Sequence, residues 1–445
     1  MKLTTAISVL LASTALFSSG SEALPAPNNS GKKIVVPLHT NAHFRPNPSV
    51  SVRKAHFRYS KFLDAPDKAS KAPFASKISV GNGKQVGDIA LKDIQNDVQY
   101  VATVEVGTPP QKLDLNPDTG SADLWLISTL CKKCDDYNTK FDPKKSTTYK
   151  GPVGEESTST KKEWNIRYGD GSTAGGYVGY DVVNLGGLPI ENQAIELATH
   201  ETQMDNVVHG IMGLAFPQLC TVDGIKTPLE NLQEQGLIKD TIFSFWLGKY
   251  QHGGGGELIF GGYNKARFEG KLTQVPVRNI QGYWGITVNH GRVGNQLIPW
   301  RGVQSTLSND KVEGSGRIVD NLIPNVVPLL PAILDTGTTL MIFPPGLAEL
   351  VASHYDATPQ EDGTYIINCD LNNLPEFTLN IGGSDFTVPS ESMIYYSFGN
   401  GTCIAGFAKA NFPFAILGDV FLKNVYSVFD FGSQPSVYLA KATPA

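Results

Sequence analysis

The apolar residues of this chain come in short runs. Val101–Val106, Glu257–Phe260 and Ser427–Phe429 are rich in β-branched or aromatic residues, and Gly, Asn, Asp or Pro clusters punctuate many such runs. This pattern predicts a mainly β protein with many turns. Ile166–Ser172 reads as strand, turn, strand, with glycine near the tip, which is a hairpin. One longer apolar stretch, Ala6–Phe17, follows Lys2 and precedes the small-residue site Ser21-Glu22-Ala23. It predicts a secretory signal peptide over residues 1–23. The stretch is too short and too rich in Ser and Thr for a membrane span, which takes about 20 apolar residues. No later run is long enough, and the tail from Ser436 to Ala445 is too short and polar for a lipid-anchor signal.

Composition agrees with a folded chain. The 445 residues are 41% apolar and 18% charged, which is globular and long enough for two or three domains' worth of core. Charge then divides the sequence. Residues 24–84 hold 11 Lys and Arg against only Asp64 and Asp67, a net of +9, whereas residues 85–445 hold 25 basic and 39 acidic residues, a net of −14. A basic segment with little hydrophobic periodicity, ahead of an acidic body, is expected to dock on that body as a pro-segment. A nucleic-acid-binding arm is the other use of such a charge run, but the signal peptide argues against it. No nucleic-acid or membrane partner is expected.

The five cysteines are Cys131, Cys134, Cys220, Cys369 and Cys403. A secreted chain is expected to oxidise them in pairs. The Cys131-Lys-Lys-Cys134 spacing also suits a zinc half-site or a redox pair. There is no second such motif and no βαβ context, so a small loop-closing disulfide is the better reading. Cys369 and Cys403 can close a longer loop, with Cys220 left as a buried thiol; five cysteines allow other pairings. No metal or cofactor is implied.

An internal repeat is the sharpest signal. Ile333-Leu334-Asp335-Thr336-Gly337-Thr338-Thr339-Leu340 echoes Pro117-Asp118-Thr119-Gly120-Ser121-Ala122-Asp123-Leu124. Each copy has a later apolar-apolar-Gly: Ile211-Met212-Gly213, and Ile416-Leu417-Gly418. A single Asp-Thr-Gly is common by chance; two in matched frames are not. From about residue 97 to the C-terminus the chain resembles the pepsin-like aspartic proteases, above all their secreted fungal members. Val106-Gly107-Thr108-Pro109-Pro110-Gln111, Tyr168-Gly169-Asp170-Gly171-Ser172, Phe260-Gly261-Gly262-Tyr263, Tyr283-Trp284-Gly285-Ile286, Cys403-Ile404-Ala405-Gly406-Phe407 and the final Ile416-Leu417-Gly418-Asp419 carry the resemblance.

The resemblance implies an all-β, bilobal fold with a cleft between two related lobes, here 85–275 and 276–445, after a pro-segment that ends somewhere within 77–96. It also implies a peptidase that works without metal or covalent nucleophile. Two carboxyls close together do not easily both ionise, so one keeps a proton while the other takes one from water. Aspartic proteases as a class use this division of labour. Asp118 and Asp335 are the candidate pair. Gly120 and Gly337 would let the backbone turn tightly, Thr119 and Thr336 would bond across to the opposite loop, and Ser121 and Thr338 would donate a hydroxyl to the neighbouring carboxylate.

In the same family the hairpin is a flap over the cleft. Tyr168 would close on substrate, with Gly169 beside it, and Trp125 would bond the Tyr168 hydroxyl. Asp170 would admit a Lys side chain before the scissile bond; a plain turn Asp is the alternative there. Expected partners are peptide and protein substrates with large apolar residues at the cut, pepstatin-type inhibitors, and the chain's own pro-segment, on a monomer. Secretion is the expected destination, with a vacuolar route the weaker alternative. Asn400-Gly401-Thr402 is a glycosylation acceptor pattern; Asn28-Asn29-Ser30 would be lost with the pro-segment. No G-x-S-x-G, H-E-x-x-H or Walker-type loop offers another chemistry.

Three departures stand out. Asn116-Pro117 replaces the Asp-Phe type of pair usual before the first Asp-Thr-Gly. Proline has no N–H to give a strand, so a ladder bond worth about 1 kcal/mol is expected to be lost. His209 stands where an Asp often precedes the apolar-apolar-Gly, and is expected to be harmless. Residues 287–331 are about twice the usual length, with the extra loop near Ile298–Pro328 on the second lobe. These departures leave an alternative to the acid-active zymogen: a catalytically impaired homologue that only binds peptides or proteins.

Overall fold

A computed structural model describes residues 86–444, apart from 95–96, 98, 133, 135–138, 154–161, 168–172, 203–207, 279–280 and 302–328, together with Val52, Arg53, Ala55 and Tyr59. Among the described residues strands dominate, as the short apolar runs predict, and they form one sheet of 13 strands and another of 11. The fold is bilobal and pepsin-like.

Gln99–Val106 shows why these runs become strands. Val104 and Val106 are fully buried while Thr103 and Glu105, which alternate with them, keep some exposure, the period-two pattern of a sheet with one covered face. Ile242–Leu247 is buried at every position, because both of its faces are packed. Phe243 stacks on Phe429 with ring centroids 4.9 Å apart. The chain's last two strands, Val425–Asp430 and Ser436–Ala442, lie in the larger sheet beside Ile242–Leu247 and Phe268–Pro276. The C-terminus is therefore tied to the sheet that contains Asp118.

The internal repeat has a structural counterpart. In the first half, Gln111–Asp118 runs parallel to Gly210–Gly213, which pairs antiparallel with Leu124–Ile127. In the second half, Pro331–Leu334 runs parallel to Ala415–Leu417, which pairs antiparallel with Met341–Phe343. Each apolar-apolar-Gly thus sits between the strand entering an Asp-Thr-Gly loop and the strand leaving it. The glycine is required by this crowding. A Cβ on Gly213 would lie 2.4 Å from the Ala122 carbonyl carbon, and one on Gly418 would lie 2.2 Å from the Thr338 oxygen.

Trp284 joins the two halves. Its indole N–H donates to the Leu214 carbonyl at 2.9 Å, and its ring packs on Phe216 and Phe429. Disulfides link Cys131 to Cys134 and Cys369 to Cys403, with Cα separations of 5.7 and 5.4 Å. Cys220 is a free thiol, half-buried, and burial pushes its pKa up. No helix among the described residues is long and apolar enough to cross a membrane. Of the extra loop, 302–328 lies outside the described residues. Its ends meet at a bridge between Arg301 and Leu329.

Candidate active site

Asp118 closes its strand and Asp335 follows its own by one residue; both are fully buried. The two carboxyls have matching donors. Gly120 N–H reaches Asp118 Oδ1 at 2.8 Å, and Ser121 hydroxyl reaches Oδ2 at 2.6 Å. Gly337 N–H reaches Asp335 Oδ1 at 2.9 Å, and Thr338 hydroxyl reaches Oδ2 at 2.6 Å. One backbone and one side-chain donor thus set the plane of each carboxyl.

The threonines tie the two loops together. Thr119 N–H donates to Thr336 Oγ1, and Thr336 N–H donates to Thr119 Oγ1, both at 3.0 Å. Each hydroxyl then donates across the divide, Thr119 to the Leu334 carbonyl at 2.9 Å and Thr336 to the Pro117 carbonyl at 2.7 Å. The atom of Pro117 used here is its oxygen, which proline keeps.

The model of the eukaryotic aspartyl protease family matches residues 99–442. The chain belongs to that family. It is 42% identical to Rhizopuspepsin-4 of Rhizopus niveus over 413 residues, covering 92% of this chain and 93% of that protein. It is 40% identical to Syncephapepsin of Syncephalastrum racemosum, covering 97% and 98%, and 31% identical to Pepsin A of Canis lupus familiaris, covering 77% and 81%. As an aspartyl protease it is an aspartic endopeptidase, and peptides are its substrates.

The rest of the expected site is distributed as follows. Trp125 is buried in a cluster with Ile127, Trp164 and Ile211, its ring 6.0 Å from that of Trp164. The hairpin strands Glu163–Arg167 and Thr173–Leu185 pair up to Arg167 opposite Thr173. Tyr168, Gly169 and Asp170, with the expected Tyr168–Trp125 bond, lie outside the described residues. Asn400 is exposed; its Oδ1 accepts Thr402 N–H at 3.1 Å and Thr402 hydroxyl at 2.6 Å. His209 braces the strand behind Asp118. Its Nδ1 accepts Asp114 N–H at 2.9 Å and its backbone N–H returns to the Asp114 carbonyl at 2.8 Å. Burial lowers its pKa, which suits a ring nitrogen that must accept.

Sequence reasoning missed one residue at the centre. Tyr59, from the basic N-terminal segment, is fully buried and donates its hydroxyl to Asp335 Oδ2 at 2.9 Å. Its ring sits among Tyr283, Phe412 and Phe414, with centroids 4.9, 5.6 and 5.2 Å away. Positive charge marks Arg53–Lys61, along with Lys68–Lys77, as a candidate arm over the dyad; what charge alone does not single out is the tyrosine within it.

Proposed function

We propose that the chain is made as a secreted zymogen that becomes an endopeptidase in acid, with Asp118 and Asp335 as the catalytic dyad. The observation that carries this reading is the Tyr59 hydroxyl on Asp335 Oδ2. A residue 276 positions upstream occupies the carboxyl that an attacking water or a substrate carbonyl would use. A basic segment of net +9 ahead of a body of net −14 fits the same reading. Acid neutralises the body's carboxylates, weakens the attraction and frees the segment.

The matched donors on the two carboxyls support the following chemistry. With the segment gone, a water held between the two carboxyls loses a proton to the ionised one. The protonated one gives its proton to the scissile carbonyl oxygen, forming a tetrahedral diol. Collapse of that intermediate returns a proton to the leaving nitrogen and breaks the C–N bond. The threonine cross-links hold the carboxyls while charge moves between them, which spares reorganisation during the step. A pocket of Tyr283, Phe412 and Phe414 that takes a tyrosine ring supports a preference for large apolar side chains at the cut. We extend the reading to Asp170 as the group that admits Lys, to Asn400 as a glycosylated residue, and to a monomer.

Incubating the full-length chain with denatured haemoglobin from about pH 2.5 to 7, with and without pepstatin, tests this. Pro-segment release is followed on a gel. Acid-only, pepstatin-sensitive cleavage that follows release is expected. Full activity at neutral pH with the segment still attached would reject the zymogen, and a folded chain that binds pepstatin yet cuts nothing would favour the impaired homologue.

A further inference from the structure

Pro117 stands in an inner strand of the larger sheet, where a proline leaves a gap in the ladder. The pairing of Gln99–Val106 with Gln111–Asp118 runs from Val106 opposite Gln111 to Ala102 opposite Leu115. Continued by two residues, the register puts Tyr100 opposite Pro117. Asp114 turns both its N–H and its carbonyl toward His209. Backbone groups alternate sides along a strand, so those of Leu115 and position 117 face the Tyr100 strand. An ordinary residue at 117 would donate to the Tyr100 carbonyl.

The second half of the molecule provides the control. There Ile333 is opposite Gly285, so Leu334 is opposite Trp284. Leu334 occupies the position equivalent to Pro117, one residue before the Asp. Its N–H donates to the Trp284 carbonyl at 3.1 Å. In the first half the Tyr100 carbonyl receives a donor at the same distance, but from the side-chain Nδ2 of Asn116. Asn116 is itself buried, 4% exposed, and its counterpart Ile333 has no polar side-chain atom to offer.

We infer that Asn116 is a positioning residue for Asp118: its side-chain amide supplies the ladder hydrogen bond that Pro117 cannot make. The two unusual residues are thus one compensated unit. The end of the strand stays anchored, the Pro117 carbonyl stays within reach of the Thr336 hydroxyl, and Asp118 keeps its place opposite Asp335. An aspartate at 116 would set a carboxylate oxygen against the Tyr100 carbonyl unless it carried a proton.

The test is a cycle on the acid-activated full-length chain: Asn116→Ile, Pro117→Leu, and both together, which installs the second half's Ile-Leu pair. Rates are taken with a peptide substrate at a temperature where every variant is folded. Asn116→Ile alone is expected to lower kcat about tenfold or more, because carboxyl misplacement acts on the chemical step. KM is expected to stay within about twofold. Pro117→Leu alone supplies the reference rate for the double variant. The double variant should recover, since the leucine introduced by Pro117→Leu brings its own N–H. An unimpaired Asn116→Ile, or a double variant no better than it, overturns the assignment.

Asn116→Asp covers a cycle in which Asn116→Ile does not fold. Its alkaline limb of kcat/KM should move to lower pH and return when Pro117→Leu is added; an unmoved profile contradicts the assignment. The kinetic arm rests on the peptidase reading, so pepstatin affinity is measured on the same chains. A parent that cuts nothing defeats that reading alone. Affinity that falls in Asn116→Ile and recovers in the double variant still supports the role of Asn116, and affinity unchanged throughout overturns it.

Discussion

Thr119 and Thr336 give each other a backbone N–H at 3.0 Å from positions 217 residues apart. This reciprocal pair fixes two loops that belong to different sheets. Thr336→Val keeps the shape of the side chain but removes the acceptor of Thr119 N–H and the donor to Pro117 oxygen. Each buried group left unpaired costs about 1–3 kcal/mol. The expected result is a lower melting temperature and a fall in kcat larger than the change in KM, read from thermal melts and acid-phase kinetics. Thr336→Ser, which keeps the hydroxyl, should recover most of both.

Tyr59 carries the latency account. Tyr59→Phe keeps the ring among Tyr283, Phe412 and Phe414 but loses the bond to Asp335. A hydrogen bond to a charged group is worth about 1.5–3 kcal/mol. Pro-segment release should then begin at a higher pH and run faster, as seen in a gel time course. Identical release would remove Tyr59 from the mechanism.

The architecture was legible because the Asp-Thr-Gly and apolar-apolar-Gly pairs encode a packing problem with one solution. Gly213 and Gly418 mark where a loop presses on a strand, so spacing alone identified both halves. Ser121 and Thr338 were readable for the same reason, each following its Asp at the same interval. Tyr59 was not, because its partner lies 276 residues away and local pattern carries no such information. The role of Asn116 was not legible either. Pro117 implies a missing ladder bond, but only the folded register shows that the neighbouring side chain fills it. The bond between His209 and Asp114 likewise needed the fold, since the two residues are 95 positions apart.

Gly213 and Gly418 yield a steric prediction. Adding a methyl at either would force backbone atoms apart, since the nearest neighbours at 2.4 and 2.2 Å are main chain. Gly213→Ala and Gly418→Ala should each lower the melting temperature and abolish haemoglobin cleavage. Gly187→Ala, where nothing lies within 4 Å but φ is +92°, should cost stability only and spare activity.

Glu196 yields a prediction about stability at neutral pH. It is fully buried opposite Trp125 in the strand pairing. Burial, and then the neighbouring Asp123, raise its pKa well above the ordinary 4.5. A carboxyl raised in the folded state binds its proton more tightly there than in the unfolded chain. Its contribution to stability is therefore complete below the ordinary value of 4.5 and is lost as pH rises through the raised value. Glu196→Gln should raise the melting temperature at about pH 7 and leave it unchanged at about pH 4. Equal effects at the two pH values would show that Glu196 does not titrate on unfolding.

The most direct test of the dyad is the acid-phase kcat/KM of Asp118→Asn and Asp335→Asn, measured on chains whose pro-segment has been removed by a separate protease. Each amide keeps the size of the carboxyl and can still accept the Gly120 or Gly337 N–H, but cannot exchange a proton with water. Both variants should melt within a few degrees of the parent, and each should lose activity by about a thousandfold or more, as expected when either member of a jointly acting pair is removed. Retention of near-parental cleavage by either variant would contradict the assignment of Asp118 and Asp335 as the catalytic pair.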